Sequence, residues 1–270
     1  MSNTSAPLTV MTYNIKNPEP EHHWERRLPV LLDVVRRNAP DVLCVQEAFA
    51  GQMDDLRAGL PGWADIGQGR EGGTAGEHSA VFFRADRLEL LGDGVFWLSD
   101  TPDVVASNTW GSVFMRMATW GRFRDRRTGG DFTVLTTHLD HEASANGDEV
   151  RRRSAELIAR RMAEVDGPVV VTGDFNEGAG LGAATPPFVS AGYVDTWTAV
   201  GATDPVSSFN DWRPPTSDGV RIDWILTRGD VAVESVRIDH DGPETWAASD
   251  HFPVVATLRP GGPLEGARTP

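Results

Sequence analysis

The chain has 270 residues, 40% hydrophobic and 24% charged, a balance that suits a globular protein and excludes a disordered chain, a collagen repeat or a disulfide scaffold. Acidic residues outnumber basic ones 39 to 25, and a net charge of -14 repels polyanions at long range, which disfavours general nucleic-acid binding. The single Cys44 excludes an internal disulfide and any cysteine-based zinc cluster, so a metal here has to be held by Asp, Glu, Asn and His.

The first strand is predicted over 8–14, where LTVMTYN is rich in β-formers and ends on a polar residue. An amphipathic run predicts a helix over 24–38. Pro40 and Asp41 punctuate the chain before Val42-Leu43-Cys44-Val45, a short apolar run of the kind that fills a buried strand, with Gln46-Glu47 at its end. A weaker helix is expected over 51–60, and the five glycines of 67–76 read as a mobile loop. Strands follow over 80–84, 87–91, 113–124 and 132–138, with hairpins expected at Ala85-Asp86 and at 126–131. A clear helix is predicted over 148–165, then strands over 169–172, 222–227, 231–238 and 254–258.

Many strands with few helices predict mixed sheets rather than an alternating parallel barrel. No linker or repeat divides the chain, so the expected organisation is a flexible start at 1–7, one domain over 8–259 and a disordered tail at 260–270. No run approaches the roughly 18 to 20 apolar residues that span a bilayer, and Met1-Ser2-Asn3-Thr4 lacks the pattern of a signal peptide, so a cytoplasmic protein with no membrane contact is expected. Lys16 is the sole lysine, which rules out a G-K-[ST] phosphate loop, and Gly67-x-Gly69 does not lead from a strand into a helix as a dinucleotide fingerprint would.

Five segments set acid, amide or imidazole groups where predicted strands stop: Tyr13-Asn14, Gln46-Glu47, Thr137-His138-Leu139-Asp140, Gly173-Asp174-Phe175-Asn176 and Ser249-Asp250-His251-Phe252-Pro253. Each alone is ordinary, since Asp and Asn after a strand are turn formers and a lone His beside an apolar run is usually structural. Together with Arg221-Ile222-Asp223-Trp224-Ile225 they resemble, in order and content, the endonuclease/exonuclease/phosphatase family of Mg²⁺-dependent phosphoesterases over about 8–258. The resemblance implies an α/β four-layer sandwich, two face-to-face mixed and mainly antiparallel sheets flanked by helices, with the site where loops from both sheets meet.

The chemistry of phosphate esters explains why such residues are needed. The ester repels an attacking hydroxide and its transition state gathers further negative charge. Mg²⁺ keeps several waters and binds through one or two carboxylates plus substrate oxygens, which suits Glu47 as principal ligand, with Asn14 and Asp250 completing or orienting the shell. Mn²⁺ is the natural substitute. By resemblance, Asp174 orients or deprotonates the attacking water, and Asn176 donates to the phosphoryl group. In an extended segment the two share a face, with Phe175 packed behind, although an Asp-x-Asn turn is the ordinary alternative. His251 contacts the phosphate while Asp223 holds its ring. His138 resembles the second family histidine, either protonating the leaving group or binding a non-bridging oxygen, and Glu77 is its expected carboxylate partner.

Gly76-Glu77, 96–103 and Thr137-His138-Leu139-Asp140-His141 are similar to a bacterial branch related to the deadenylase-like members. That branch fixes the chemistry better than the substrate. The acidic balance and the absence of a basic arm favour a small phosphorylated metabolite as substrate. The alternatives are a nuclease acting on short single-stranded DNA or RNA and a catalytically inactive binding protein on the same fold. Trp97, Trp110, Trp212 and Trp246 fall in or beside predicted loops, where aromatic rings can stack on a ligand or simply pack, and Trp212 is the expected substrate contact. Arg151-Arg152-Arg153 reads as a solvated helix face, and no protein partner is evident.

Overall fold

In the computed structural model, which describes residues 7–202, 207–216, 219–242 and 245–261, side chains along the first strands alternate between two different cores. Val10 of β1 (Leu8–Asn14) and Val42 and Cys44 of β2 (Val42–Ala48) join one apolar cluster, while Met11, Tyr13, Leu43 and Val45 join another. This two-residue period makes both strands buried on both faces, with a packed layer on each side.

The further elements are α1 (Trp24–Asn38), α2 (Ala50–Gly59), β3 (Trp63–Ile66), β4 (His78–Arg84), β5 (Leu88–Trp97), β6 (Met117–Asp125), β7 (Asp131–His138), α3 (Ala145–Ala163), β8 (Val169–Asp174), α4 (Thr185–Ser190), β9 (Val194–Asp195), α5 (Thr196–Ala199), β10 (Asp223–Arg228), β11 (Val231–Ile238) and β12 (Val254–Pro260). They form two six-stranded sheets, ordered β11-β12-β1-β2-β4-β3 and β5-β6-β7-β8-β10-β9. Parallel pairing occurs at β1–β2, which α1 connects, and at β7–β8, which α3 connects; the other named pairs are antiparallel. The sheets face each other across a core that includes Val81 and Phe83 from the first and Phe123, Phe132 and Val170 from the second. Leu31, Leu32 and Val35 of α1 and Leu56 of α2 cover the outer face of the first sheet. Leu157, Ile158 and Met162 of α3 and Phe188 of α4 cover that of the second. The result is the expected four-layer sandwich, and among the described residues no helix is long and apolar enough to cross a membrane.

Several local expectations need correction. The hairpin at Ala85-Asp86 does not exist: β4 belongs to the first sheet and β5 to the second, so the chain changes layer there. The turn is short enough to mimic a hairpin, but Arg87 is buried where the layers meet, reaching Asp41 at 2.6 Å beside the first sheet and Asp125 at 2.8 Å at the end of β6. Residues 113–116 lie outside the strand expected there, with Val113 and Phe114 exposed, and the strand begins only at Met117. The glycine-rich loop is closed by its own hydrogen bonds, Gly69 N–H to the Gly73 carbonyl at 2.8 Å and Arg70 N–H to that of Glu77 at 2.9 Å. Pro260 closes β12 rather than opening a tail; residues 1–6 and 262–270 lie outside the described residues. Sequence reading also missed α4, whose Pro186 and Pro187 suggest a turn yet fit a helix's first positions, where no N–H bond is lost.

Candidate active site

The ends of β1, β2, β7, β8 and β10 converge on a cleft of about 630 Å³ that contains Glu47, His138, Asp174, Asn176, Trp212, Asp250 and His251. Glu47 sits in β2 at an irregularity between Val45 and Ala48, with a left-handed φ of 63°. L-residues avoid that conformation, and the bulge it makes turns the carboxylate out of the ladder towards the cleft. Gly173 solves a similar problem in β8. Its φ is 144°, and a Cβ there would lie 2.0 Å from the Thr137 carbonyl oxygen, so only glycine lets β8 lie against β7 as it delivers Asp174.

Asp174 is the hub. It is 1% exposed, and its Oδ2 accepts from Asn14 Nδ2 at 3.0 Å and lies 3.6 Å from both His138 Nε2 and His251 Nε2. Burial, reinforced by the neighbouring Asp223 carboxylate, raises its pKa to about 7 against the opposing pull of His251. His251 holds Asp223 Oδ2 at 2.9 Å through Nδ1. Burial works against its charged form, but the carboxylates of Asp223 and Asp174 outweigh that effect and raise the imidazole pKa to about 10. At neutral pH His251 is therefore an imidazolium. His138 has the opposite character, since burial and then the Arg116 and His251 charges hold it well below the usual histidine range and leave it neutral.

Asn14 donates its second amide hydrogen to Glu47 Oε1 at 2.9 Å, while its carbonyl oxygen accepts the Lys16 backbone N–H at 3.1 Å. It thus presents donors to the two carboxylates and orients them, the second of the two roles expected for it. Lys16 Nζ lies 3.6 Å from Glu47 Oε2 and 3.2 Å from Asp250 Oδ2. Burial of Glu47 disfavours its charge, but Lys16 and the Asn14 hydrogen bond more than compensate and lower its pKa. A cation already bridges these two carboxylates, and their all-oxygen donor set suits a hard divalent ion. Asp174, Asp223 and His251 also bring ligating atoms within 4.8 Å of one another, where a metal would compete with the proton that the Asp223 and Asp174 carboxylates favour on His251.

Asn176 lines the cleft differently from its expected extended pose. Its φ is 53°, its backbone N–H bonds Asp174 Oδ1 at 2.8 Å, and its side chain donates to the Leu139 carbonyl at 3.1 Å. The segment is thus an Asp-x-Asn turn that still brings both residues to the cleft, with Phe175 buried behind and stacked 4.1 Å from Trp224. Glu77 does not partner His138. It pairs with Arg70 at 2.7 Å, and His138 Nδ1 has no hydrogen-bond partner among the described residues.

Trp212 lines the cleft and stacks on His22 at 5.8 Å. The other tryptophans pack elsewhere: Trp97 is buried and donates to the Arg70 carbonyl at 2.7 Å, Trp110 lies under Arg153 at 4.6 Å, and Trp246 joins the core between the sheets. Arg151 is not a solvated residue; it is buried and bonds Glu177 at 3.0 Å, whereas Arg152 is half-buried. Sequence reading missed the cleft roles of Lys16, Arg70 and Arg116. Lys16, a unique residue two positions after Asn14, carried a usable signal. Arginine is too common in this chain for the others to stand out.

A profile of the Endonuclease/Exonuclease/phosphatase family matches residues 11–251. The solved structure of an endonuclease/exonuclease/phosphatase from Bacteroides vulgatus is 35% identical, with a TM-score of 0.85 over 94% of this chain and 98% of its own. A mannosyl-6-phosphatase from Bacteroides thetaiotaomicron is 33% identical, with a TM-score of 0.83 over 93% and 99% of the two chains. Drosophila melanogaster Nocturnin is 26% identical over 172 residues, 60% of this chain and 25% of that protein. The matched regions span between 25% and 60% of the lengths of Nocturnin and two further curated relatives.

Proposed function

We propose that this chain, which belongs to the endonuclease/exonuclease/phosphatase family, is a Mg²⁺-dependent hydrolase of small phosphorylated compounds. The observation that carries the reading is the position of Asp174, 3.6 Å from two histidines and tied through Asn14 to Glu47. A carboxylate raised to about 7 is matched to taking a proton from water near neutral pH. Asp174 orients the attacking water and receives its proton. His251, held charged by Asp223, stabilises the negative charge that accumulates on the phosphoryl oxygens. Neutral His138 donates a hydrogen bond to a non-bridging oxygen, and Asn176 supplies a further N–H. Glu47 and Asp250 would hold Mg²⁺, with Mn²⁺ as a substitute, and Asn14 orients them. When bound, the ion neutralises charge on the phosphoryl group.

The cleft volume of about 630 Å³ and the net charge of -14 favour a compact substrate over a long polyanion. The similarity to a mannosyl-6-phosphatase supports the same substrate scale. The test is a panel of sugar phosphates, other phosphorylated metabolites and short oligonucleotides assayed with Mg²⁺ and Mn²⁺. Hydrolysis of small monoesters is expected. Oligonucleotide cleavage with kcat/KM more than about a hundredfold above every small ester at near-physiological salt would replace this reading with a nuclease.

A further inference from the structure

Two arginines outside the hydrolytic cluster line the same cleft. Arg116, which immediately precedes β6, is 5% exposed, yet among the described residues no carboxylate forms an ion pair with it. Its Nη2 lies 3.2 Å from His141 Nδ1, and its Nε has no hydrogen-bond partner. Arg70 is 9% exposed and pairs with Glu77, but its Nε also lacks a partner. Phe114 bridges the pair, its ring 4.6 Å from the Arg70 guanidinium and 5.8 Å from that of Arg116, and it stacks on His141 at 5.7 Å.

Arginine does not deprotonate, so a guanidinium buried without an anion is strongly unfavourable unless something that binds there supplies one. Glu77 makes its ion pair with Arg70, and Arg116 feels Glu77, Asp174 and Asp140 only through space, with burial still opposing its charge. The forked donors of guanidinium match the oxygens of phosphate or carboxylate. No hydrogen bond or ion pair among the described residues joins either arginine to Glu47, Asp174, Asn176 or His251, and although both positive charges reach His138 and help to hold it neutral, this wall adjoins the hydrolytic groups without bonding to them.

We infer that Arg116, assisted by Arg70 and His141, binds a second anionic group, phosphate or carboxylate, carried by the departing part of the substrate. The preferred substrate is then a compact phosphoester with a second negative group. This rests on the hydrolytic reading above and names its substrate class.

The test compares glucose 6-phosphate, glucose 1,6-bisphosphate and 6-phosphogluconate in the wild type, Arg116→Met, Arg116→Lys and the surface control Arg152→Gln. The wild type should prefer one or both doubly anionic esters at least tenfold through KM. Arg116→Met should erase that preference, Arg116→Lys should retain part of it, and Arg152→Gln should leave it intact. Because Arg116→Met removes a charge that burial disfavours and that no carboxylate among the described residues contacts, its melting temperature should not fall below that of the wild type. Absence of a preference, its survival in Arg116→Met, or an equal loss of kcat on all three esters would overturn the inference, the last by putting Arg116 on the reacting group. A marked fall in melting temperature would make Arg116 structural and overturn it too. If the wild type hydrolyses none of the three, the hydrolytic reading fails for this class, and calorimetric titration with glucose 1,6-bisphosphate decides separately. Binding that Arg116→Met abolishes supports the anion site; no binding, or binding that persists in the variant, refutes it.

Discussion

Asn14 donates to Asp174 at 3.0 Å across 160 positions of sequence, joining the end of a strand in one sheet to the end of a strand in the other. The same amide holds Glu47 at 2.9 Å, so the carboxylate assigned to the water and the one assigned to the metal are oriented by one side chain.

Glu47→Gln removes an anionic oxygen with almost no change of volume. Metal affinity, measured by calorimetric titration, should fall at least about tenfold to a hundredfold, with a comparable loss of kcat/KM and little change in melting temperature. Excess EDTA should abolish wild-type activity, and full activity in EDTA would refute the assignment.

Lys16 competes with a divalent ion for the charge of Glu47 and Asp250. Lys16→Met should therefore tighten Mn²⁺ binding, read by electron paramagnetic resonance titration of free Mn²⁺. Weaker binding in the variant would mean that the ammonium assists the ion instead of opposing it.

The activity should have a bell-shaped pH profile. Asp174 acts as the deprotonated form, so kcat/KM rises with pH through a value at or below about 7, since a bound cation favours the carboxylate further. His251 acts as the charged form, so kcat/KM falls as pH approaches about 10. Asp223→Asn withdraws the negative charge that helps keep His251 protonated, and the alkaline limb should move to lower pH. An unmoved alkaline limb would separate Asp223 from the titration of His251.

Asp125→Ala removes one of the two carboxylates that hold buried Arg87 at the change of layer. Loss of this charged hydrogen bond should cost about 2 kcal/mol, a fall of about 4–8 °C in melting temperature. Activity at low temperature should be retained, because Asp125 lies outside the cleft.

Most strands were readable because Val, Ile and Thr cluster into short runs bounded by turn residues, and α1 because its apolar face has helical spacing, but the short β3 and β9 offered no such run and were missed. Layer membership was not. Ala85-Asp86 has the length and polarity of a hairpin turn, and only the burial of Arg87 between Asp41 and Asp125 reveals a crossing. The short motifs did mark side chains that gather in one cleft, since a polar residue closing a buried strand must find partners there. The contacts between motifs were harder to read. Glu77 lies close enough in sequence to suggest a partner for His138, but Arg70 reaches it first through the closed glycine loop. Arg116 was illegible because its environment depends on how Phe114 and His141 fold around it.

Gln46 forms a second polar tie beside Asn14, donating to Thr12 at 3.1 Å in its own sheet and to Thr136 at 2.9 Å in the opposite one. With the reacting groups divided between two slabs, the centre works as a vernier of their alignment. A slide of a fraction of an ångström is too small to melt any strand, yet it separates the carboxylate proposed to activate water from its orienting amide. On heating, turnover should fade while far-ultraviolet circular dichroism still reports an intact sandwich.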